Sequence, residues 1–434
     1  MGPGTVPVLL APSLNQSHSG MALIFFDSIP KETNVMGETR FIVAGSLIDG
    51  SGGEIRRNVF LAVQDTIITA IGSAADLPRH GGEAIADFSH CVILPPLVDC
   101  SVSLSRSPSV DREVRSAAEE AGPAEKAAML ARHLRYCHAH GVLGVADGDD
   151  PSGLVARYRA GTAHGSIIDL RTSGPLCRGS RDCGAGNPPE GDFLKIGYSP
   201  DIENTETPSP RMSQEELGCL LRHRGEKKAV VVANGPQPVA EALAAGCDAI
   251  EQGYDMGEAN LRKMAEQGVL WIPSVLRAKN GLDSASSGGE VACRFSTRYV
   301  APGKPVPGAE AFWQKTLTGQ LAQLRLAGKL GVKTAVGTGA GSVGILHGES
   351  MAEEMKLFLK GGYSLAEAIR CATENGAGFF GMKDLGRLTV GRKATFLIAR
   401  GTVQQLPRKL SYLEGIYVDG VPSSAYRKNP VKTA

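Results

Sequence analysis

The sequence predicts an α/β protein whose larger part is a TIM-like (β/α)8 barrel. Two observations carry this prediction. From about residue 121 to residue 338, short apolar strands alternate with amphipathic helices, which is the pattern of parallel βα units. Glycine is abundant, with 54 residues among 434, and this suits many tight turns between strands and helices. Counting the units favours closure into an eight-stranded barrel.

The composition bounds the class of protein. Hydrophobic residues make up 42% of the chain and charged residues 21%, enough for one large and one smaller domain. A formal net charge of +1 gives no field that would attract nucleic acid or an anionic membrane, and no apolar run is long enough to span a bilayer. Nine cysteines without CxxC pairs favour a reducing, cytoplasmic setting over a disulfide framework.

Residues 1–38 read as an N-terminal leader that we expect to be ordered only in part. The apolar stretch at residues 6–10 is short and has no basic flank, so we predict no signal peptide. Met21 offers an alternative start. After the leader, residues 41–45, 58–63 and 66–72 predict three strands of a small all-β block.

The barrel elements follow in order. The predicted strands are 141–147, 166–170, 193–196, 229–233, 248–251, 269–273 and 334–338. The predicted helices are one that begins after a Ser213–Glu216 capping box, one that begins at Pro238, one over 259–267 and one over 310–330. Gly246, Gly268 and Gly331 stand where helices should end. Residues 176–190 and 278–308 predict long loops, the second of them a candidate lid.

The stretch from Ile93 to Leu104 organises the chain. It reads Ile-Leu-Pro-Pro-Leu-Val-Asp-Cys-Ser-Val-Ser-Leu, an apolar run, a turn and a short strand. It resembles the first-strand signature of the amidohydrolase superfamily, L-P-G-hydrophobic-hydrophobic-D-x-H-x-H. In that signature the two histidines lie two residues apart on one strand face and bind a divalent metal. Here the two positions are Ser101 and Ser103.

Further motifs extend the resemblance over nearly the whole chain. Residues 386–398 match the family's G-x-L-x-x-G-x-x-A-D pattern, with a threonine in place of the aspartate, and residues 417–420 match its final hairpin. The resemblance implies a β-sandwich domain built from both chain ends, 39–95 plus 384–434, and a barrel over 96–383. Ser342 and the His347-Gly348 pair match the imidazolonepropionase- and prolidase-like branch.

The other metal positions of the family can be placed by the same comparison. Lys195 matches the lysine that the family carboxylates to bridge two metals. Asn234 and Gln252 stand where histidines are implied, and Gly339 stands where the final aspartate is implied. Zinc needs imidazole, carboxylate or thiolate ligands, and metal-activated hydroxide drives this superfamily. The resemblance therefore implies a degenerate member with no bound metal, and with zinc or another divalent metal only if other ligands have rebuilt the site.

Lys195 is the charged group left in this pocket. A buried lysine needs a partner, and Asp147, Glu251 or an anionic ligand are the candidates. The functional interpretation is anion binding or an imine-forming nucleophile. The alternative, which we favour, is a retained lysine paired with one of the two carboxylates.

Several other groups have both a functional and a structural interpretation. His133, Cys137 and His140 share one helix face that could hold a metal, but we place that helix on the outer ring, away from the site. Asp147, Asp149 and Asp150 could bind a hard cation, but they also fit ordinary turn chemistry, which we favour.

Two nucleophile hypotheses also need weighing. Cys100 should point away from Ser101 and serve as a structural thiol, because no histidine can be placed beside it. A Ser103–His347 pair would have to work without the G-x-S-x-G elbow that positions a nucleophilic serine.

These observations leave three functions open. The first is a binding or regulatory pseudoenzyme, or a partner subunit, that takes a small, polar, perhaps anionic ligand. The second is a hydrolase of C–N bonds with a site rebuilt around Lys195, Asp147 and His347. The third is a lyase or isomerase that uses the lysine amine. We also expect a homo-oligomer or pairing with an active paralogue.

Overall fold

The computed structural model describes the chain in six segments, residues 39–78, 85–161, 167–179, 191–199, 212–286 and 307–423. The predicted leader, residues 1–38, lies outside the described residues. So do residues 180–190 and 287–306, which include most of both predicted loops.

The strands, in chain order, are β1 (Thr39–Leu47), β2 (Arg56–Gln64), β3 (Ile67–Ser73), β4 (Ile85–Leu94), β5 (Leu97–Val102), β6 (Val142–Asp147), β7 (Asp169–Thr172), β8 (Phe193–Gly197), β9 (Lys228–Ala233), β10 (Ala249–Gln252), β11 (Leu270–Ile272), β12 (Phe396–Arg400), β13 (Leu413–Val418) and β14 (Val421–Pro422). The helices are α1 (Arg112–Glu120), α2 (Pro123–Ala139), α3 (Leu154–Gly161), α4 (Gln214–Arg222), α5 (Pro236–Ala244), α6 (Glu258–Gln267), α7 (Val275–Ser286), α8 (Ala309–Leu330), α9 (Ser350–Lys360), α10 (Leu365–Cys371) and α11 (Glu374–Phe380).

Strands from both ends of the chain form one seven-stranded sheet in the order β14-β13-β12-β4-β1-β2-β3. The central strand β4 pairs in parallel with β1 and antiparallel with β12, so it joins the two ends directly. Apolar side chains from both groups of strands, among them Leu61, Ile93 and Phe396, pack in one core cluster. The β-rich domain is therefore built from both ends of the chain, while the residue limits of the two domains stay a prediction.

The remaining strands form the barrel. They occur as a sheet β5-β6-β7 and a sheet β8-β9-β10-β11, all in parallel. Isolated bridges close the ring, from Cys177 to Ile196, from Trp271 to Thr334 and from Val102 to Ala340. The segment 334–340 thus occupies the eighth position, and the predicted TIM-like barrel is confirmed. This segment is not a regular strand, because the left-handed backbone of Gly339 (φ 74°) interrupts it.

Most helix boundaries follow their sequence signals. The Ser213–Glu216 capping box opens α4, and Gly268 and Gly331 end α6 and α8 in the left-handed conformation. Two expectations need correction. Helix α5 begins two residues before Pro238, because Gly235 (φ 85°) turns the chain there. The region 278–308 is not loop from its beginning, since α7 extends to Ser286.

Helix α7 begins where it does because a buried carboxylate caps it. The side chain of Glu354, fully buried on α9, accepts hydrogen bonds from the backbone N–H groups of Val275 and Leu276 at 2.9 and 2.6 Å. Those groups have no partner within the helix. Burial raises the pKa of Glu354 to about 8, against these hydrogen bonds, which lower it.

This raised pKa predicts a dependence of stability on pH. The unfolded chain loses the Glu354 proton near pH 4.5 and the folded chain near pH 8, so stability should fall as pH rises through this window, by up to about 1.4 kcal/mol per pH unit. We expect Glu354→Gln to flatten the slope in urea unfolding measured across that range. Glu353→Gln on the same helix is the control. An unchanged slope in Glu354→Gln would contradict the assignment.

Most of the described cysteines form no disulfide. These are Cys91, Cys100, Cys137, Cys219, Cys247 and Cys371. Cys177, which pairs with Ile196 of β8 in a backbone bridge, is disulfide-bonded, whereas the cysteine pattern favoured a reducing setting over a disulfide framework. Cysteine spacing alone does not reveal such pairing. Among the described helices, none combines the length and the apolar content needed to cross a membrane.

Candidate functional site

Three side chains meet inside the barrel at the carboxyl ends of β5, β8 and β10. The Lys195 Nζ atom lies 2.7 Å from Oε2 of Glu251, and the Ser101 hydroxyl donates to Oε1 of the same carboxylate at 2.8 Å. All three residues are less than 10% exposed. Of the partners that the sequence offered for Lys195, the structure selects Glu251. We call Ser101, Lys195 and Glu251 the mouth triad.

Asp147 lies near this triad but is held by other groups. Its carboxylate accepts the Leu104 backbone N–H at 2.8 Å and the Thr172 hydroxyl at 3.3 Å, so it ties β6 to both neighbouring strands. Burial raises the pKa of Asp147 to about 7, while the charge of Lys195 acts in the opposite direction. The Lys195 side chain packs against Gly148. A Cβ added at Gly148 would lie 2.5 Å from Nζ, so a larger residue at this position would displace the Lys195 side chain.

The next two positions, Asn234 and Gln252, bond to each other. The Asn234 amide donates to Oε1 of Gln252 at 2.7 Å and accepts the Tyr254 backbone N–H at 3.0 Å. Gln252 has a left-handed backbone (φ 69°), which is uncommon for a residue with a side chain. Its carbonyl receives the Trp271 indole N–H and the Gln320 amide, and these bonds hold that conformation.

The Gly339 position is covered by a residue that sequence analysis missed. An added Cβ at Gly339 would lie 2.9 Å from Cδ of Arg277, which comes from α7. The Gly339 backbone N–H donates to the Ser101 carbonyl at 2.8 Å, so Arg277 packs against backbone that is bonded to β5. No sequence signal pointed to Arg277, because α7 falls in a region that looked like loop.

Asp99 is a second residue that sequence analysis left without a role. It is the aspartate of the first-strand signature and is almost fully buried. Its carboxylate accepts the backbone N–H and the hydroxyl of Thr338, at 2.9 and 2.6 Å, and the Ser101 N–H at 3.3 Å. Burial raises the pKa of Asp99 to about 6, against these hydrogen bonds. Asp99 therefore fastens β5 to the closing segment of the barrel.

His347 does not join Lys195 and Asp147. Its Nε2 atom lies 3.1 Å from the Ser103 carbonyl, not its hydroxyl, and its ring stacks on His133 with centroids 3.9 Å apart. Burial lowers the pKa of both rings, that of His133 to about 4. The loop carrying His347 folds back against α2, so His133 packs on a ring that does not contact Lys195 or Asp147 in the described structure. The packing role that we favoured for this face agrees with the contact.

The remaining candidates are structural. Asp149 pairs with Arg106, and Asp150 caps α3 by accepting the backbone N–H groups of Leu154, Val155 and Ala156. These contacts fit the turn chemistry that we favoured. Cys100 is buried against Gly376 of α11. Burial raises the pKa of its thiol well above the usual value, as fits a structural cysteine.

The side chains at the barrel mouth differ from the ligands that a divalent metal needs. Within the described segments, no three His, Cys, Asp or Glu side chains are placed to hold a metal ion. Ser101, Asn234 and Gln252 offer neutral oxygens that already make hydrogen bonds to each other or to Glu251. The Glu251 carboxylate is paired with an ammonium group. These residues do not fit a zinc site.

A sequence model of the amidohydrolase family matches residues 205–424. The chain belongs to the amidohydrolase family. This match begins after the first-strand signature and covers the eighth position of the barrel and the C-terminal β-strands. A search of curated proteins found no significant match to this chain.

Solved structures of amidohydrolases are similar over most of the chain. A Xaa-Pro dipeptidase with bound methionine matches with a TM-score of 0.68 and 19% identity, over 89% of this chain and all of that one. The A. niger ochratoxinase matches with a TM-score of 0.70 and 20% identity, over 89% and 95%. A putative prolidase from Bifidobacterium longum matches with a TM-score of 0.70 and 18% identity, over 92% and 97%. At these identities the similarity establishes the fold alone.

Proposed function

We propose that this amidohydrolase family member is a metal-free binding or regulatory protein whose barrel mouth takes a small, polar, anionic ligand. The observation that carries the proposal is the ion pair between Lys195 and Glu251. The Lys195 ammonium, at the position where the family would place its metal-bridging lysine, neutralises the Glu251 carboxylate. A metal would have to displace this ammonium and find donors that the described residues do not offer.

The charges around the mouth support an anionic ligand. Lys195 and Glu251 neutralise each other, and a pKa of about 7 leaves Asp147 partly protonated at neutral pH. The Arg277 side chain adds a cationic group beside Gly339. An aspartate restored at Gly339 would meet the Arg277 side chain and would need a left-handed backbone. The pocket is therefore better arranged for an oxyanion than for a cation.

Metal content tests the proposal. Protein purified without added metal or chelator should contain well below one equivalent of zinc, manganese, iron or cobalt per chain by plasma mass spectrometry. A zinc enzyme purified in parallel shows that the procedure retains bound metal. A stoichiometric metal in this chain, lost in a Glu251→Gln variant, would overturn the proposal.

Ligand binding gives a second readout for the same proposal. Small carboxylic acids, succinate among them, should raise the melting temperature of the wild type, because a ligand that binds only the native state stabilises it. Arg277→Gln should reduce the shift. Lys279→Gln, a change to an exposed ion pair on the same helix, should leave the shift unchanged. Equal shifts in wild type and Arg277→Gln would contradict a role for Arg277.

A hydrolase of C–N bonds is the second candidate. It is favoured by the pKa of Asp147, which burial raises to about 7 beside Lys195 and so into the range of a general acid or base. Asp147→Asn should then abolish turnover of a substrate found by screening amides and dipeptides, and Lys195→Ala should reduce it strongly. Unchanged turnover in both variants would remove this candidate.

An oligomer, or a pair with an active paralogue, is a further part of the proposal. A regulatory subunit needs a partner, and most oligomers are symmetric assemblies of one kind of chain. Light scattering after size-exclusion chromatography measures the state of the purified chain. A monomer at micromolar concentration that captures no family member would contradict the partner role.

A further inference from the structure

A second cleft lies at the opposite end of the barrel from the mouth triad. It has a volume of about 730 Å³, a size usual for sites that bind small molecules. The residues before β10, β11 and the closing segment form its floor, and α10 and α11 form one wall. Ser51, from the turn between β1 and β2, reaches its rim.

The feature of this cleft that calls for a ligand is Arg370 on α10. Its Nε atom is buried and has no hydrogen-bond partner. Within the described part of the chain, its guanidinium makes no ion pair or hydrogen bond, although the charge of Glu367 one turn earlier lies near enough to interact with it. The side chain is held against the turn at Gly52, where an added Cβ would lie 3.0 Å from Nε. Buried polar groups in native proteins rarely lack a partner, because each unmade hydrogen bond costs free energy.

The other charges of the cleft leave an excess of positive charge. Lys228 is paired with Asp248, and Arg387 is paired with Glu374. Lys333 is exposed and lines the cleft without an ion pair to any residue that the structure describes. Arg370 and Lys333 thus face one remaining carboxylate, that of Glu367. The ring of Phe379 and the Tyr363 side chain add aromatic surface to the lining.

We propose that this cleft is a binding site for a small organic anion, with Arg370 and Lys333 holding its oxyanion group and the aromatic residues contacting its organic part. A guanidinium presents several N–H donors in a plane, which matches phosphate and carboxylate oxygens. The site is separate from the barrel mouth, at the end where the strands begin. It does not depend on the function proposed for the mouth.

Isothermal titration calorimetry of the full chain with phenyl phosphate, at constant ionic strength, tests the proposal. In the wild type, one equivalent should bind at the cleft, separately from any binding at the barrel mouth. Arg370→Gln should weaken the affinity about 10-fold or more, as expected for a lost charged hydrogen bond. Lys333→Ala should weaken it about 3-fold, as expected for an exposed charge. Inorganic phosphate should bind more weakly, because it has no organic part to contact the aromatic residues, and equally tight binding of inorganic phosphate would contradict an organic ligand.

Two controls make the result specific to the cleft. Lys329→Ala removes an exposed cation from the last turn of α8 that does not line the cleft, and it should bind like the wild type. Lys195→Met, in the barrel mouth, distinguishes the two sites, because the binding that depends on Arg370 should persist in it with unchanged affinity. The proposal would be overturned if the wild type showed no saturable binding. It would also be overturned if Arg370→Gln and Lys333→Ala each bound with the affinity of the wild type. Loss of binding in Lys195→Met alone would assign the anion to the mouth and overturn it as well.

Discussion

Replacing Lys195 with methionine should destabilise the fold by about 3–5 kcal/mol, which is the usual cost of removing one partner of a buried ion pair. The substitution keeps the length and most of the apolar stem of the side chain but removes the charge. Glu251, 3% exposed, would then keep a single hydrogen bond, from Ser101, for a carboxylate removed from water. Urea unfolding at pH 7, followed by circular dichroism, measures the change.

A double variant separates the pair from its surroundings. Lys195→Met combined with Glu251→Gln removes both charges and keeps an acceptor for the Ser101 hydroxyl, so it should regain most of the lost stability. The matched control is Lys228→Met, which breaks an ion pair at a lysine that is 56% exposed and should cost about 1 kcal/mol or less. A Lys195→Met variant no less stable than Lys228→Met would show that the pair does not carry the charge balance of the pocket.

The ion pair between Lys195 and Glu251 also bears on function. If the pair has replaced a metal site, restoring single ligands should not recover metal binding while Lys195 still holds Glu251. Ser101→His, for example, would remove the hydroxyl that bonds Glu251 and leave the ion pair in place. Zinc binding by Ser101→His with the ion pair intact would contradict the replacement of a metal site by this pair.

The fold was predictable because its signals are local and repeated. Capping boxes, terminal glycines and apolar strands each act within a few residues, and they placed helices such as α4, α6 and α8 closely. The closing segment 334–340 was predicted as a strand, but its left-handed glycine leaves it joined only by isolated bridges. Local apolar character does not reveal such an interruption.

The site was predictable only in part. The family signatures identified Ser101, Lys195 and Glu251 as neighbours, because residues at the ends of parallel strands meet at one end of a barrel. They could not place Arg277 against Gly339, since that contact depends on a helix whose first turn is capped by Glu354 from α9. They also set His133 apart from His347, whereas the two rings stack. The sequence motifs did not reveal contacts between segments that are far apart in the chain.

Asp99→Ala should be nearly as destabilising as the loss of Lys195, with an expected cost of about 3 kcal/mol. Three donors, the Thr338 N–H, the Thr338 hydroxyl and the Ser101 N–H, would lose their acceptor inside the barrel. Each such hydrogen bond contributes about 1 kcal/mol, and more where a buried donor is left without a partner. Urea unfolding measures the total, and hydrogen exchange should be faster at the Thr338 and Ser101 amides.

Asp99→Asn keeps one carbonyl oxygen as an acceptor and should cost about half as much, so it is the matched comparison. Asp283→Ala, at a carboxylate that is 56% exposed, should lie within about 0.5 kcal/mol of the wild type. If Asp99→Ala were as stable as Asp283→Ala, the aspartate of the signature would have no architectural role here. The expected result would give the aspartate of the first-strand signature an architectural role. Asp99 fastens the first and last positions of the barrel through backbone and Thr338 groups, so this role does not depend on the side chains of Ser101 and Ser103.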